Sequence, residues 1–178
     1  AFFSGFSSAA AILVGKDVGA GEHENAQKKA VFIVYMTSVI IMMVCVGILS
    51  FHTPLFTALG LSGESFEICT VLCTIYCVVS IIRMGNWQQN DSFRAGGDPA
   101  FGTIMEITFM YLMVIPLVYI SYFVFHAPFY LVFVFIYSDE PIRYFIMQRH
   151  LYSRKWIQPV SDKGLSTIEE FRKKYNVK

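Results

Sequence analysis

The chain has 178 residues; 55% are hydrophobic, 16% are aromatic and only 15% are charged, with a formal net charge of +1 and a mean hydropathy of +0.52. A soluble domain carries about 25% charged residues, so this composition excludes a disordered tail, a coiled coil and a collagen-like fibre, and it argues against a soluble globule. No global basic field is present to draw in nucleic acid, and the natural unit is the membrane span of about 20 apolar residues.

Five apolar blocks follow one another, and in lipid each must be helical, because every backbone group then needs an internal partner. The first, residues 1–14, is short and rich in small residues such as Gly5, Ser7, Ala9 and Ala10, which let membrane helices approach closely. It opens without an initiator Met, a basic n-region or a small-residue cleavage site. It therefore reads as a span entered partway in a longer parent chain, not as a signal peptide. The second block, 31–51, has no charge. The third, 66–87, holds Glu67 and Arg83. The fourth, 101–125, holds Glu106 and Pro116, and the fifth, 127–147, is interrupted by Ser138-Asp139-Glu140-Pro141. The expected fold is an all-α polytopic transmembrane helical bundle, residues 1–147, followed by a basic tail, 148–178.

Lys and Arg alternate along the connections. Lys16, Lys28 and Lys29 flank the first, none lies in 52–65, Arg83 and Arg94 flank the third, and none lies at His126. Nine more run from Arg143 to Lys178. The positive-inside rule then gives one orientation, with a cytoplasmic C-terminus in a multi-pass protein of the plasma (inner) membrane.

The connections read as turns. Gly15-Lys16-Asp17-Val18-Gly19-Ala20-Gly21 is glycine-rich but lacks the Gly-Lys-Ser/Thr ending of a phosphate loop, so a tight turn is the simpler reading. In Arg94-Ala95-Gly96-Gly97-Asp98-Pro99 the glycines permit positive φ, Asp98 suits an N-cap and Pro99 a first helical turn. In the tail, Trp156 and Tyr152 suit the headgroup zone, and Ser166-Thr167-Ile168-Glu169 fits a capping box for a short amphipathic helix. That helix, with Ile168, Phe171 and Tyr175 on one face, is expected to be an interfacial anchor rather than a partner-binding helix.

Charges inside the apolar blocks are the functional candidates. Arg83 lies 11 residues before Arg94 and Glu106 eight after Asp98, which places both at about 10–15 Å from the hairpin at 1.5 Å per residue. They are expected to pair or to share a water-filled path. Asn86, Gln88, Gln89 and Asn90 either line that path or mark emergence into water. Asp139, Glu140 and Arg143 have the spacing of an intrahelical ion pair near the cytoplasmic surface. Pro116 should kink the fourth span. Cys45, Cys69, Cys73 and Cys77 all lie in apolar blocks and read as small packing residues, not disulfide or metal ligands. No HExxH, GxSxG or His cluster is present, so neither an enzyme nor a metal site is expected.

Several segments resemble a known family. Ala11-Ile12-Leu13-Val14-Gly15-Lys16-Asp17-Val18-Gly19-Ala20-Gly21 resembles the signature after the eighth helix of multidrug and toxic compound extrusion (MATE) transporters. Phe93-Arg94-Ala95-Gly96-Gly97-Asp98 resembles the turn between their tenth and eleventh helices. Glu106 falls where many members carry Asp, Pro116 where many carry a mid-helix Pro, and Lys155-Trp156 resembles a pair just after the twelfth helix. The resemblance implies part of helix eight plus helices nine to twelve, the C-terminal lobe of a twelve-helix transporter. It further implies secondary active efflux of drug-like organic cations in exchange for Na⁺ or H⁺, with no other cofactor. The expected partners are the lipid bilayer, an N-terminal six-helix lobe of the same chain and an amphiphilic small molecule, in a monomer. Related flippases of lipid-linked sugars and a non-transporting scaffold or subunit are the rival readings. Some members couple through a carboxylate within the tenth helix; here that region holds Arg83 and no mid-helix acid, so coupling is expected through the N-terminal lobe.

Overall fold

The computed structural model describes residues 2–177, with side chains from Gly5 onward; Ala1 and Lys178, the outer limits of the first span and of the tail, lie outside the described residues. The helices are α1 (Phe2–Gly19), α2 (His23–Ala58), α3 (Glu64–Gly96), α4 (Pro99–Phe109), α5 (Ile115–Tyr119), α6 (Phe129–Ile136), α7 (Asp139–Ser153) and α8 (Asp162–Lys174). Two π-helical turns, Met110–Val114 and Ile120–Val124, flank α5 and join it to α4 in one rod. No strand occurs among the described residues. Three helices, His23–Ala58, Glu64–Gly96 and Pro99–Val124, are long and apolar enough to cross a membrane. The fold is an all-α helical membrane bundle.

Helices outrun the apolar blocks that mark them. The second block ends at residue 51, yet α2 continues to Ala58, and α3 runs to Gly96, nine residues past the third block. Hydropathy marks only the lipid-facing part of a helix, while the backbone ladder continues until a local stop. Hydroxyls within the spans are satisfied on their own helix: Ser50 donates to the Val46 carbonyl, Thr70 to Phe66 and Thr74 to Thr70, each four residues back.

The fifth block is two helices, not one span. Pro141 supplies no N–H to the Tyr137 carbonyl four residues before it, and its ring crowds that carbonyl, so the ladder stops at Tyr137. The chain restarts at Asp139, where proline is tolerated in the first helical turn. Pro116 acts differently. It sits in the first turn of α5 between the two π turns, and the widened turn before it relieves the clash that an unbroken α-helix would impose.

α3 is the central element, packed against α1, α2, α4, α6 and α7. The ends of α1, α3 and α7 meet the starts of α2 and α4 at one end of the bundle, the hairpin end. There the main core forms, with Val14, Val18, Ala26, Ala30, Val34, Phe93, Met147 and Leu151 closing around Trp156, Ile157, Ile168 and Phe171. Toward the other end the core thins to Ile41, Cys45 and Cys77. Most large apolar side chains of α2 and of the Pro99–Val124 rod are exposed, among them Phe51, Leu112, Tyr111 and Phe123, as expected of surface that meets lipid or another apolar body.

The tail departs from its expected role. Trp156 is fully buried, and its Nε1–H donates to Gln27 Oε1 at 3.0 Å and to the Leu151 carbonyl at 3.1 Å. It is a core residue, not a headgroup anchor. The tail helix begins at Asp162, capped by Ser161, whose Oγ accepts from Gly164 N–H at 3.1 Å. Ser166, read from the sequence as the cap, is inside the helix and donates to the Lys163 carbonyl. The apolar face of α8 is covered by α1 and α2, with Phe171 against His23 at 5.4 Å between centroids. It is a docked helix within the fold.

Candidate functional site

Three stripes of side chains enclose a cavity of about 410 Å³. α3 contributes Arg83, Asn86, Trp87, Asn90, Asp91 and Arg94, a series three or four residues apart that shares one helix face. The α4 rod contributes Gly102, Glu106 and Met110 at four-residue steps, and α7 contributes Asp139, Glu140, Arg143 and Met147, with Tyr137 at the helix break. Three guanidinium groups and four carboxylates thus line one cavity. Gly102 is required by closeness: a Cβ there would overlap the side-chain amide of Asn90.

The charges are organised around Glu140. Its Oε2 accepts from Asn86 Nδ2 at 2.7 Å and from an Arg143 terminal nitrogen at 2.8 Å, and its backbone carbonyl accepts from the same Asn86 amide at 3.0 Å. Arg83 Nε stands 3.7 Å from Oε1, with its guanidinium 5.2 Å from the centre of the Tyr137 ring. Arg143 also faces Asp139 at 3.4 Å. Asp139 and Glu140 are 6% and 4% exposed. Burying such charges is tolerated only when they are paired and hydrogen-bonded.

Of the two expectations for Arg83 and Glu106, the pairing is not met, while both side chains line the same cavity. Arg83 pairs with Glu140 of α7, not with Glu106. Because α3 runs on to Gly96, Arg83 lies 13 residues before its end, and Glu106 lies eight residues after Asp98. At 1.5 Å per residue the two differ in depth by about 7 Å, more than one helical turn. Glu106 is exposed, lines the cavity and has no ion-pair partner among the described residues. The Asp139–Glu140–Arg143 cluster is also deeper than expected. It opens α7 about 20 Å from that helix's far end; the intrahelical pairs of Arg143 with Asp139 and Glu140 form as the spacing implies, and Glu140 is tied across to α3 as well. The signal in the sequence was present, as three charges at i, i+1 and i+4 inside an apolar block.

Asn86 and Asn90 line the cavity, whereas Gln89 does not. Gln88 and Gln89 are almost completely buried, and neither side-chain amide has a hydrogen-bond partner among the described residues. Asp91 is held from α1 by the Ser7 hydroxyl and from its own helix by Arg94 at 3.9 Å.

The hairpin closes the cavity's near end. Gly97 takes φ +98°, a left-handed conformation that ends α3. Asp98 accepts from Phe101 N–H at 3.4 Å, and Pro99 follows it in the first turn of α4. The other Asp98 oxygen lies 2.9 Å from His150 Nε2, and His150 stacks on Phe101 with centroids 3.7 Å apart. The Gly96 carbonyl accepts from Gln158 N–H at 2.7 Å. Hairpin, α7 and tail are therefore one unit.

At the same end Lys29 meets the buried Asp17 at 2.6 Å, joining α2 to α1. His23 Nε2 bonds to the Gly164 carbonyl at 3.2 Å and to Thr167 Oγ1 at 3.0 Å. Burial is the main cause that holds the His23 imidazole below its ordinary 6.5; Arg172 pushes the same way and the Gly164 bond opposes. Lys174 bonds Glu24 at 2.5 Å, which lowers the Glu24 carboxyl and raises the Lys174 ammonium.

Residues 1–120, about two thirds of the chain, match the family model described as MatE. No curated protein and no solved structure matches the chain. The match takes in α1 to α3 and the rod as far as its second π turn, so the α7 wall of the cavity lies beyond it. With a helical membrane bundle, the hairpin and the matched residues together, the chain belongs to the MatE family, whose members are membrane transporters rather than enzymes.

Proposed function

We propose that the full-length protein containing this chain is a secondary active antiporter that exports drug-like organic cations in exchange for Na⁺ or H⁺. The observation that carries this reading is the cavity between α3, α4 and α7. Its walls combine an excess of one carboxylate over guanidinium groups with Trp87 and Tyr137, the mixture of negative charge and aromatic face that suits an amphiphilic cation. A second six-helix lobe would supply the opposing wall, and rocking of one bundle against the other would alternate access. The distribution of basic residues supports an orientation with the hairpin and tail in the cytoplasm, and export of such cations implies the plasma membrane.

The test is ethidium movement in liposomes holding the full-length protein. Efflux that follows an imposed Na⁺ or proton gradient is the expected result, and movement indifferent to both gradients overturns the reading. Trp87→Ala should weaken ethidium binding by about 1 kcal/mol, roughly fivefold in KM, with protein level and melting temperature unchanged. An unaltered KM removes Trp87 from the pathway.

A further inference from the structure

The two acids that open α7 are held unequally. Glu140 has three side-chain donors around it, from Asn86, Arg143 and Arg83. Asp139, equally buried, has only the 3.4 Å approach of Arg143, and that guanidinium already forms the shorter bridge to Glu140. No side chain other than Arg143 reaches the Asp139 carboxylate among the described residues; its own backbone N–H and the more distant Arg83 add the remaining support. A carboxylate that is buried, lines a cavity and is compensated by half of a shared cation is the one best served by taking a proton.

The cavity wall also asks for water. The Asn86 amide oxygen has no partner among the described residues, although Asn86 is 2% exposed and lines the cavity; the Arg143 Nε–H is likewise unpartnered. An unmet acceptor on α3 and an unmet donor on α7 are the complementary demands that a water molecule meets. Other charges facing the site set its balance. α3 presents Arg83, Asp91 and Arg94, the α4 rod presents Glu106, and the helix break presents the Tyr137 hydroxyl. With Asp139, Glu140 and Arg143 these amount to four carboxylates against three guanidinium groups, so one added proton makes the cavity neutral.

We infer that Asp139 is the proton-exchange residue of this lobe, while Glu140 is the structural anchor that Arg83, Asn86 and Arg143 hold in place. A hydronium in the cavity gives its proton to Asp139, forming one O–H bond and leaving water; release reverses the step. The inference rests on the antiport reading with H⁺ as the exchanged ion.

The experiment is infrared difference spectroscopy of the full-length protein in liposomes, between mildly alkaline and mildly acidic buffer. A protonated-carboxyl stretch is expected to grow in on acidification, to be lost in Asp139→Asn and to persist in Glu106→Gln. Asp139→Glu keeps a carboxyl at the site, so its band should remain but move in frequency; this variant decides the matter even if Asp139→Asn does not fold. A band that survives Asp139→Asn, stays unmoved in Asp139→Glu, or disappears in Glu106→Gln overturns the inference. Proton-driven ethidium efflux from the same vesicles reads the antiport proposal separately: its absence in the wild type removes proton antiport, whereas the infrared band alone decides Asp139.

Discussion

Trp156 offers one N–H to two acceptors, Gln27 Oε1 and the Leu151 carbonyl. The ring fills the centre of the hairpin-end core, and the N–H satisfies an amide that α2 buries there. Trp156→Phe retains most of the apolar contact but strands the Gln27 oxygen, which should destabilise the protein by about 1–3 kcal/mol. Trp156→Ala also opens a cavity and should cost about 3–5 kcal/mol. Thermal unfolding of the full-length protein in detergent checks the order; a Trp156→Phe midpoint equal to that of the wild type would show that the Gln27 bond contributes nothing. Gly102 poses the opposite problem. Gly102→Ala forces a methyl into the Asn90 amide, at an expected cost of about 1–3 kcal/mol, and Gly102→Ala paired with Asn90→Ala should recover most of it. Failure of that pair to recover would place the strain in the backbone instead.

At the scale of elements, α8 is held by bonds that respond to pH. His23 Nε2 faces a carbonyl, Gly164 O, so Nε2 carries the proton, and the buried Nδ1 has no partner among the described residues. Protonating Nδ1 would bury a second donor with nothing to receive it. The imidazole is accordingly held below 6.5, chiefly by burial. Below about pH 6.5 the undocked histidine binds a proton that the docked one resists, so the undocked state holds more protons and docking weakens as pH falls. Above that pH the docking is insensitive. Hydrogen exchange of the α8 amides, corrected for intrinsic rate, should accelerate on acidification in the wild type and lose that dependence in His23→Gln; an identical dependence in both would acquit His23.

Element boundaries were legible wherever their cause is local. Gly97, Asp98 and Pro99 each answer to their own backbone, so the hairpin follows from three residues. The stop at Tyr137 was equally local, set by Pro141 four residues on, and Ser138-Asp139-Glu140-Pro141 marked it in the sequence as an interruption of the fifth block. For the tail, the capping-box pattern put the cap at Ser166, whereas the structure puts it at Ser161. Ser161 prevailed because its hydroxyl also donates to the Gly19 carbonyl at 2.7 Å, a long-range contact that no local pattern contains.

For the whole molecule, the helical membrane class followed from composition, because a chain this poor in charge has few other ways to satisfy its backbone. The site was only half legible. Arg83, Asn86 and Asn90 stood out as polar residues within or beside an apolar block, but the partner of Arg83 depends on how far α3 slides past α4 and α7, and register between helices is a property of packing. Trp156 misled for the same reason: an aromatic beside basic residues looks like an interfacial anchor until the core that receives it is known. The uneven core should also show in exchange. Amides near Ala26, Phe93 and Leu151 should be the slowest in the bundle, and those near Phe51 and Phe66 faster at equal lipid protection; uniform rates would contradict the thinning described for the far end.

Gln27 and Trp156 are 129 positions apart, and a ribosome adding roughly 5–20 residues per second takes about 6–26 s to travel between them. Through that interval α2 is already made, with one side of its amide unanswered. The hairpin-end core therefore cannot be completed helix by helix as the chain emerges; it closes only when the last segment arrives and threads Trp156 between helices made long before. Biogenesis of this bundle thus has a late, all-at-once step, and the interval before it is when a chaperone or a quality-control protease would find an incomplete molecule.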